Sequence, residues 1–287
     1  TLNTFQTGQV SLERVEELLS RRPLISNPVE PEHLDLPVRG DLEARNLHIR
    51  YEGADSDTLD GLNFHIASGE LVAVVGPVGC GKTTLARALG RMVEVPGGQL
   101  FLDGHDLTCL RLDDLREQIA LVPQEGYLFT SSLADNLRYG EPEAGLQRVE
   151  AAAEQARLLA DVRGFPDGMN TLVGERGITL SGGQRQRTAL GRALLLKAPV
   201  LVLDDALASV DNNTAAEILA SVRRQTQRTI VMISHQLSAA AACDRILVLD
   251  RGRLVQQGHH TDLIREQGLY RSLWEREQAA ERLESVA

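Results

Sequence analysis

The chain has 287 residues, of which 43% are hydrophobic, so it is long enough to bury one or two cores. Its net charge of −10 and pI near 5.2 argue against a nucleic-acid surface, which needs a clustered basic face. The three cysteines are too far apart for a disulfide framework or a metal site, and they fit a reducing compartment. No apolar run in the sequence is long enough to cross a bilayer.

Residues 1–22 are predicted to form one amphipathic helix with Ser11 as its N-cap, and its apolar residues recur at helical spacing: Leu12, Val15, Leu18 and Leu19. Residues 23–40 hold four of the ten prolines and little apolar periodicity, so they are predicted to be a linker. The chain begins with Thr1 rather than Met, which fits a fragment or a processed product.

From Asp41 onward the pattern favours an α/β fold. Continuous apolar strands such as 200–204 indicate a parallel sheet that is buried on both faces. Strands are predicted at 42–51, 61–66, 71–75, 119–122, 200–204, 229–233, 246–249 and 253–256. Helices are predicted at 83–92, 133–139, 146–160 and 182–197. Those between 125 and 198 form an inserted helical lobe.

A glycine-rich loop of the G-x-x-x-x-G-K-T type follows the strand at 71–75: Gly76-Pro77-Val78-Gly79-Cys80-Gly81-Lys82-Thr83. In such a loop the backbone N–H groups converge on phosphates, and the following helix adds its positive end. Lys82 is one of only two lysines in the chain and would reach the β- and γ-phosphates, while the Thr83 hydroxyl would bind Mg²⁺. Asp204, at the end of a buried strand, is the natural carboxylate for that ion, usually acting through a water molecule. Taken alone, each feature also fits a ligand-free turn or a structural aspartate; together they predict an ATP and Mg²⁺ site.

Five further features follow in order: Gln124 in Val122-Pro123-Gln124, Leu180-Ser181-Gly182-Gly183-Gln184, the strand that ends at Asp204, Ala208-Ser209-Val210-Asp211, and His235. With the phosphate loop, this set resembles the nucleotide-binding domain of an ATP-binding cassette (ABC) transporter over about residues 41–275. Residues 276–287 would be a C-terminal helical tail. The resemblance implies a P-loop NTPase fold with a mainly parallel sheet, an antiparallel β subdomain and the helical lobe.

The resemblance also implies roles for single residues. Tyr51 would stack on adenine, although a lone strand tyrosine is more often a packing residue. Gln124 would contact Mg²⁺, and His235 would contact the γ-phosphate. Two such domains would close head to tail, so that the signature of one chain faces the nucleotide held by the other: Ser181, Gly182, Gly183 and Gln184. Thr84 would complete the chain's own phosphate site. The other six histidines show no metal spacing and are expected to be solvated.

Several segments resemble ABC exporters in particular: 124–129, 132–139 and Val173-Gly174-Glu175-Arg176-Gly177. Residues 1–22 resemble the cytoplasmic extension of the last transmembrane helix of a half-transporter. The resemblance therefore implies a transmembrane domain as partner, which this chain lacks, and a place at the cytoplasmic face of the cell membrane. The transported substrate would be selected by that absent domain.

Asp205 departs from the family pattern, which places glutamate directly after the Mg²⁺ aspartate as the catalytic base. The shorter side chain withdraws the carboxylate by about 1.5 Å, one carbon–carbon bond, and a misplacement of about 1 Å can lower a rate about 10²-fold. We therefore expect ATP binding with weak hydrolysis, as in the degenerate site of a heterodimeric exporter. A slow homodimer and a nucleotide-controlled clamp without transport stay open as alternatives. A DNA-repair ABC ATPase is disfavoured, since the interval before the signature has no room for a coiled coil.

Cys80 lies inside the phosphate loop beside a helix N-terminus, a location that lowers the pKa of a thiol and predicts a reactive thiolate. The alternative is a small residue that fills a tight turn. Both interpretations stay open at the level of sequence.

Overall fold

The computed structural model describes residues 2–284 except 21, 22, 175, 176, 178 and 226. The helices and strands follow one another as α1 (Leu2–Ser20), β1 (Leu42–Ile49), β2 (Leu59–Ile66), β3 (Leu71–Val75), α2 (Lys82–Leu89), β4 (Leu100–Leu102), β5 (His105–Asp106), α3 (Leu112–Gln118), β6 (Ile119–Val122), β7 (Ser131–Ser132), α4 (Leu133–Leu137), α5 (Leu146–Gln155), α6 (Leu159–Val162), β8 (Leu172–Val173), α7 (Gly182–Leu195), β9 (Val200–Asp204), α8 (Asn212–Gln225), β10 (Thr229–Ile233), α9 (Leu237–Ala240), β11 (Arg245–Asp250), β12 (Arg253–Gly258), α10 (His260–Leu263) and α11 (Leu269–Glu284).

Two sheets organise the molecule. The larger has the strand order β12-β11-β3-β10-β9-β6, in which only β12 pairs antiparallel. The smaller is antiparallel, with the order β2-β1-β4-β5. The α/β fold with a mainly parallel sheet and an antiparallel β subdomain is thereby confirmed. Because β3 and β9 both end at the same edge of the larger sheet, the loops that follow them lie close together.

Side chains of β3 point alternately into two cores, as the twofold period of a strand requires. Leu71, Ala73 and Val75 belong on one face to a core that also includes residues of α7, α8 and α9. Val72 and Val74 pack on the other face with α2 and the antiparallel sheet. A strand that is buried on both faces needs a continuous apolar run, and this is the pattern that predicted it.

The helical lobe has a third core of its own. It includes residues of α4, α5 and the segment before α6: Leu133, Leu137, Val149 and Leu158. The helix predicted at 146–160 is interrupted, because Arg157 has a φ of +55° and α5 ends at Gln155. The chain resumes a helix only at Leu159, so the prediction of one continuous helix is wrong.

The N-terminal helix α1 places Ser11 in its interior, so the predicted N-cap at Ser11 is wrong. From Gly8 onward, where its side chains are described, the large apolar ones are exposed: Val10, Leu12, Val15, Leu18 and Leu19. The predicted linker, in contrast, docks on the domain. The Asn27 side chain accepts a hydrogen bond from the Leu112 backbone N–H, and Leu34 and Val38 pack against the second core.

Other boundaries differ from the predictions in local ways. Strand β1 ends at Ile49, so Tyr51 lies in the loop beyond it rather than in a strand. Helix α8 is absent from the sequence-based predictions, although its buried residues recur at helical spacing: Ala215, Ile218, Leu219 and Val222. Helix α11 runs unbroken from Leu269 to Glu284 and so crosses the boundary predicted at residue 275.

Candidate functional site

The phosphate loop needs glycine at two places because the backbone of other segments presses against it. A Cβ on Gly76, whose φ is +149°, would lie 2.1 Å from the Leu249 carbonyl oxygen. A Cβ on Gly81 would lie 2.8 Å from the carbonyl oxygen of Thr58. Helix α2 begins directly afterwards at Lys82. The loop therefore curls tightly into a helix N-terminus, the arrangement that binds phosphate.

Lys82 is almost fully buried, and its ammonium lies over the loop. Its Nζ donates to the carbonyl oxygens of Gly76 at 2.8 Å and Pro77 at 2.9 Å. These bonds hold a single positive charge at the centre of the loop, where it faces the space in which a phosphate would sit. This geometry fits the predicted role of Lys82.

Cys80 does not match the hypothesis of a reactive thiolate. Only 3% of its surface is exposed, and burial raises the pKa of its thiol. The neighbouring Lys82 opposes this shift, with Nζ 3.8 Å from the Cys80 Sγ, but the effect of burial is larger. The structure therefore favours the alternative, a small side chain that fills the tight turn.

Thr83 and Asp204 meet at the carboxyl edge of the larger sheet. The Thr83 Oγ1 donates to the Asp204 Oδ1 at 3.1 Å, which joins the first turn of α2 to the end of β9. Burial raises the pKa of the Asp204 carboxyl, and the hydrogen bond from Thr83 opposes that rise. A hydroxyl and a carboxylate oxygen at this spacing are the hard ligands that Mg²⁺ prefers, so the residues present fit the ion.

Asp205 lies between Gln124 and His235. Its Oδ2 is 3.4 Å from the Gln124 Nε2 and 3.8 Å from the His235 Nε2. The residue is 7% exposed and has a φ of +52°, a left-handed conformation that aspartate adopts more readily than most residues. Its backbone N–H donates to the Ile233 carbonyl at 3.0 Å. The three predicted catalytic residues are thus brought to one place from three segments of the chain.

Tyr51 is partly exposed, with 39% of its surface accessible to solvent. Its hydroxyl lies 3.2 Å from the Thr84 Oγ1. The ring is thereby tied to the first turn of α2, beside the phosphate loop. An exposed aromatic ring at this position can stack on a base, and its role stays a prediction.

The signature residues form the beginning of α7. The Ser181 Oγ accepts from the Gln184 N–H at 3.2 Å, and the Gln184 Oε1 accepts from the Ser181 N–H at 2.9 Å, a reciprocal capping box. The Gln184 Nε2 also donates to Asp161 at 3.1 Å. Both side chains therefore shape the helix N-terminus in this structure, and their contact with a nucleotide stays a prediction.

The signature contributes Gly182 to a cleft of about 670 Å³. No residue of the phosphate loop lines this cleft. Its lining consists of Gln124, Glu125, Gly126, Tyr127, Gly182, Arg185, Gln186, Ala208 and Ser209. The Ser209 backbone N–H donates to the Gln186 side chain at 2.8 Å. A Cβ on Gly183 would lie 2.9 Å from the Ser209 carbonyl oxygen, so α7 and this turn are in close contact. The signature helix and the phosphate loop therefore line different clefts, and Gln124 is the predicted residue of the chain's own nucleotide site that the first of them includes.

A second cleft, of about 330 Å³, lies beside the phosphate loop. One wall is formed by Gly76, Pro77 and Val78, and His235 contributes to it. The other wall belongs to α11, including Leu273 and Glu277. Sequence reasoning missed the α11 residues, because no local motif marks a helix that reaches the site from so far along the chain.

The exporter-like segment at 173–177 falls partly outside the described residues, since Glu175 and Arg176 are not among them. The segments at 124–129 and 132–139 are joined by Asn136, which is fully buried and was not singled out in the sequence. Its Oδ1 accepts from the Phe129 N–H at 2.9 Å, and its Nδ2 donates to the Phe129 carbonyl at 2.9 Å. The Arg192 Nε donates to the Asn136 carbonyl at 2.9 Å, which connects this loop to α7.

Several histidines expected to be solvated have side-chain partners. His65 lies 2.8 Å from Asp41, and the Nδ1 of His260 lies 2.7 Å from the Tyr270 hydroxyl. The Nδ1 of His48 lies 3.2 Å from Asp57 and 3.4 Å from Asp60. Among the described residues, these three form the one cluster whose side chains lie close enough together to hold a metal ion. Arg50 and Arg253 pair with the other oxygens of the two carboxylates, so the cluster is a surface ion-pair network.

The family is established by comparison with known proteins. A family model described as "ABC transporter" matches residues 59–208, which is 150 of the 287 residues and just over half of the chain. The chain belongs to the ABC transporter family. The match includes the phosphate loop, the signature and Asp204, so the order of these motifs in the sequence is that of the ABC family.

Curated relatives of this ABC domain are named as a flippase, an exporter and a multidrug resistance transporter. It is 41% identical over 275 residues to an ATP-dependent lipid A-core flippase of Aromatoleum aromaticum, covering 94% of this chain and 45% of that protein. It is 42% identical over 231 residues to an ATM1-type heavy metal exporter of Novosphingobium aromaticivorans, covering 80% and 38%. It is 36% identical over 278 residues to a probable multidrug resistance ABC transporter ATP-binding/permease protein of Bacillus subtilis, covering 96% and 47%. The chain therefore spans less than half the length of each of these relatives.

A solved structure gives the same result for the fold. The ABC domain superposes on a bacterial Atm1-family ABC exporter with ATP bound, with a TM-score of 0.89 and 36% sequence identity. The superposition covers 96% of this chain and 48% of the other. Within the described residues, none of the helices combines the length and apolar character that crossing a bilayer requires.

Proposed function

We propose that this chain is the ATP-binding and ATP-hydrolysing motor domain of an ABC exporter. The observation that carries the proposal is the convergence of Lys82, Thr83, Asp204, Asp205 and His235 at one edge of the larger sheet. The backbone of 76–84 would bind the phosphates of ATP, and Tyr51 would stack on the base. A motor domain of the ABC type needs these groups together, and the similarity to exporters extends over most of the chain.

Thr83, Asp204 and Gln124 would hold Mg²⁺. When bound, the ion neutralises charge on the β- and γ-phosphates. The His235 ring would donate a hydrogen bond to the γ-phosphate. Asp205 would orient the attacking water through its carboxylate.

Hydrolysis at this chain's own site is proposed to be weak because Asp205 stands where the family has glutamate. One methylene fewer places the carboxylate about 1.5 Å nearer the backbone at the end of β9. In the structure the carboxylate already contacts Gln124 at 3.4 Å, close to the sheet edge. A base that stays so close to the sheet orients the water poorly, and such a misplacement lowers the rate about 10²-fold.

A second nucleotide-binding domain completes the proposed assembly. The signature helix lines a cleft in which no phosphate-loop residue takes part, which supports a role for its N-terminus toward a γ-phosphate held by another subunit. We propose a heterodimeric partner that carries glutamate at the base position, because an intact signature beside a shortened base suits a chain that assists a competent partner. A transmembrane domain at the cytoplasmic face of the cell membrane would supply the transport path.

Two alternatives make different predictions. A slow homodimer would place Asp205 at both sites, so both would turn over equally slowly. A nucleotide-controlled clamp would need no transmembrane domain, whereas the exposed apolar side of α1 and the exporter relatives favour one.

The test compares the unaltered chain with Asp205→Glu and with the matched control Asp205→Asn. All three are expected to bind MgATP with similar affinity, because the phosphate loop is unchanged. Asp205→Glu should raise the hydrolysis rate at least about tenfold, and Asp205→Asn should lower it. A rate for Asp205→Glu equal to that of the unaltered chain, measured with closed dimers present, would contradict the weak-site proposal.

A further inference from the structure

Helix α11 is anchored to the domain at its beginning. Tyr270 is fully buried, and its hydroxyl lies 2.7 Å from the Nδ1 of His260. Its backbone N–H donates to the Gln256 Oε1 at 3.0 Å. Leu273 and Trp274 pack against the core of the larger sheet. The first turns of α11 therefore have a fixed position relative to β12 and α10.

About two helical turns further on, Glu277 reaches the segment after His235. One carboxylate oxygen accepts from the Leu237 N–H at 2.9 Å, and the other accepts from the Ser238 N–H at 3.1 Å. Leu237 and Ser238 begin α9, where backbone N–H groups lack partners within the helix. The carboxylate satisfies two of them. Two bonds from one rigid group fix both the distance and the orientation of this backbone.

The histidine segment, residues 234–238, is therefore held at both ends. At one end the Ser234 N–H donates to the Val74 carbonyl of β3 at 3.2 Å. At the other end Glu277 binds Leu237 and Ser238. Between them, His235 is 43% exposed along its side chain, and its Nε2 lies 3.8 Å from Asp205, beyond hydrogen-bond distance. The position of the imidazole thus depends on the backbone on either side of it.

We propose that Glu277 is a positioning residue that, from the C-terminal helix, holds His235 in place for ATP hydrolysis. This inference rests on the proposed function. Glu277 and His235 line the same cleft beside the phosphate loop. A shift of α11 would move the start of α9 through the two hydrogen bonds and would carry His235 with it. The C-terminal helix is thereby a point from which hydrolysis can be changed without contact with the nucleotide.

The chain offers a matched control on the same helix. Glu275 is two residues earlier, faces solvent and pairs with Arg271 at 2.7 Å within α11. Glu275→Ala removes the same charge from the same helix and leaves the bonds to α9 intact. Glu277→Gln keeps one oxygen as an acceptor but turns an N–H group toward the other backbone donor, so it should give an intermediate effect.

The experiment measures kcat, KM for MgATP, nucleotide affinity and thermal stability in the unaltered chain and in an Asp205→Glu background with higher expected turnover. Glu277→Ala should lower kcat about tenfold or more, with less than about a twofold change in affinity for MgATP. The kcat of Glu277→Gln should lie between those of Glu277→Ala and the parent chain, and the kcat of Glu275→Ala should equal that of its parent. Hydrogen exchange of the 237 and 238 amides should accelerate in Glu277→Ala and not in Glu275→Ala.

The outcomes separate the two proposals. If the parent chains hydrolyse ATP and Glu277→Ala has the same kcat as its parent, the positioning role is overturned and the proposed function is not. The positioning role is also overturned if Glu275→Ala loses as much activity, or if the amides at 237 and 238 exchange at the parental rate. Parent chains that neither bind nor hydrolyse MgATP would overturn the proposed function, and the positioning role in hydrolysis with it.

Discussion

The Oγ1 atom of Thr83 lies 3.1 Å from the Oδ1 atom of Asp204, so the helix after the phosphate loop and the strand β9 share one hydrogen bond at the site. Asp204 is buried, and burial raises the pKa of its carboxyl above the unfolded value. The folded state therefore binds this proton more tightly than the unfolded state. Protonated Asp204 therefore stabilises the folded chain. This contribution is complete below the pKa that the carboxyl has in the unfolded state, and it is lost as the pH rises through the pKa in the folded state.

Asp204→Asn should therefore stabilise the chain near neutral pH in the absence of nucleotide. The amide keeps the acceptor for Thr83 and removes the buried charge. An effect of about 1 kcal/mol would raise the Tm by about 2–4 °C. Below a pH of about 3.9 the gain should vanish, because the carboxyl is then protonated in both states. Mg²⁺ should no longer tighten ATP binding.

The matched control for this change is Asp250→Asn at the end of β11, another strand of the larger sheet, which should leave both the Tm and the Mg²⁺ dependence near those of the unaltered chain. A lower Tm for Asp204→Asn at neutral pH would show that the carboxylate stabilises the apo fold, contrary to the argument from burial.

Thiol reactivity should follow burial rather than position in the loop. Cys80 and Cys243 are buried, and burial raises the pKa of Cys243 to about 12. Cys109 is only half-buried, so it should react with a maleimide at least about tenfold faster than either. Mass spectrometry of partly labelled protein gives the order, and Cys109→Ala should retain only slow labelling. Labelling of Cys80 as fast as that of Cys109 would restore the thiolate hypothesis.

Asn136→Ala should destabilise the helical lobe. The substitution removes the hydrogen-bond partner of the Phe129 backbone N–H. It also removes the donor to three acceptors, including the Ser132 carbonyl at 3.1 Å. Loss of such a buried network costs about 2–3 kcal/mol. Chemical denaturation measures it, and the neighbouring Asp135→Ala on the exposed side of α4 should stay within about 0.5 kcal/mol of the parent. Equal effects of the two substitutions would mean that Asn136 contributes no more than a surface residue.

Substitutions in the signature and in the phosphate loop should have different effects in the assembled transporter. Ser181→Arg blocks the helix N-terminus that is proposed to face the partner's γ-phosphate, so it should abolish hydrolysis while this chain keeps its own ATP. Lys82→Ala removes the ammonium over the phosphate loop, so this chain should lose its nucleotide while the partner's site stays chemically intact. Measurement of turnover and of occupancy at each site tests the difference.

Equal loss of turnover in the Ser181→Arg and Lys82→Ala transporters would show that the two sites are equivalent. Full ATPase activity in the Ser181→Arg transporter would show that hydrolysis does not require the signature. Either result contradicts the proposed heterodimer.

The sequence by itself determined the phosphate loop, the signature and the strand that ends at Asp204. Each of these depends on neighbours within a few residues: glycines beside a helix start, a serine and glutamine that cap their own helix, and an apolar run before a carboxylate. Local chemistry of this kind is visible in linear spacing. The same holds for the two-faced burial of the parallel strands, which requires continuous apolar residues whatever their order in the sheet.

Only the tertiary structure decided which of these groups meet. Gln124 and Asp205 are 81 positions apart, and Glu277 reaches Leu237 across 40, so no local pattern links them. The state of Cys80 also depended on the fold, because the desolvation that raises its pKa comes from packing that the loop sequence does not encode. Burial and long-range pairing are properties of the folded chain, since they arise when distant segments exclude water from one another.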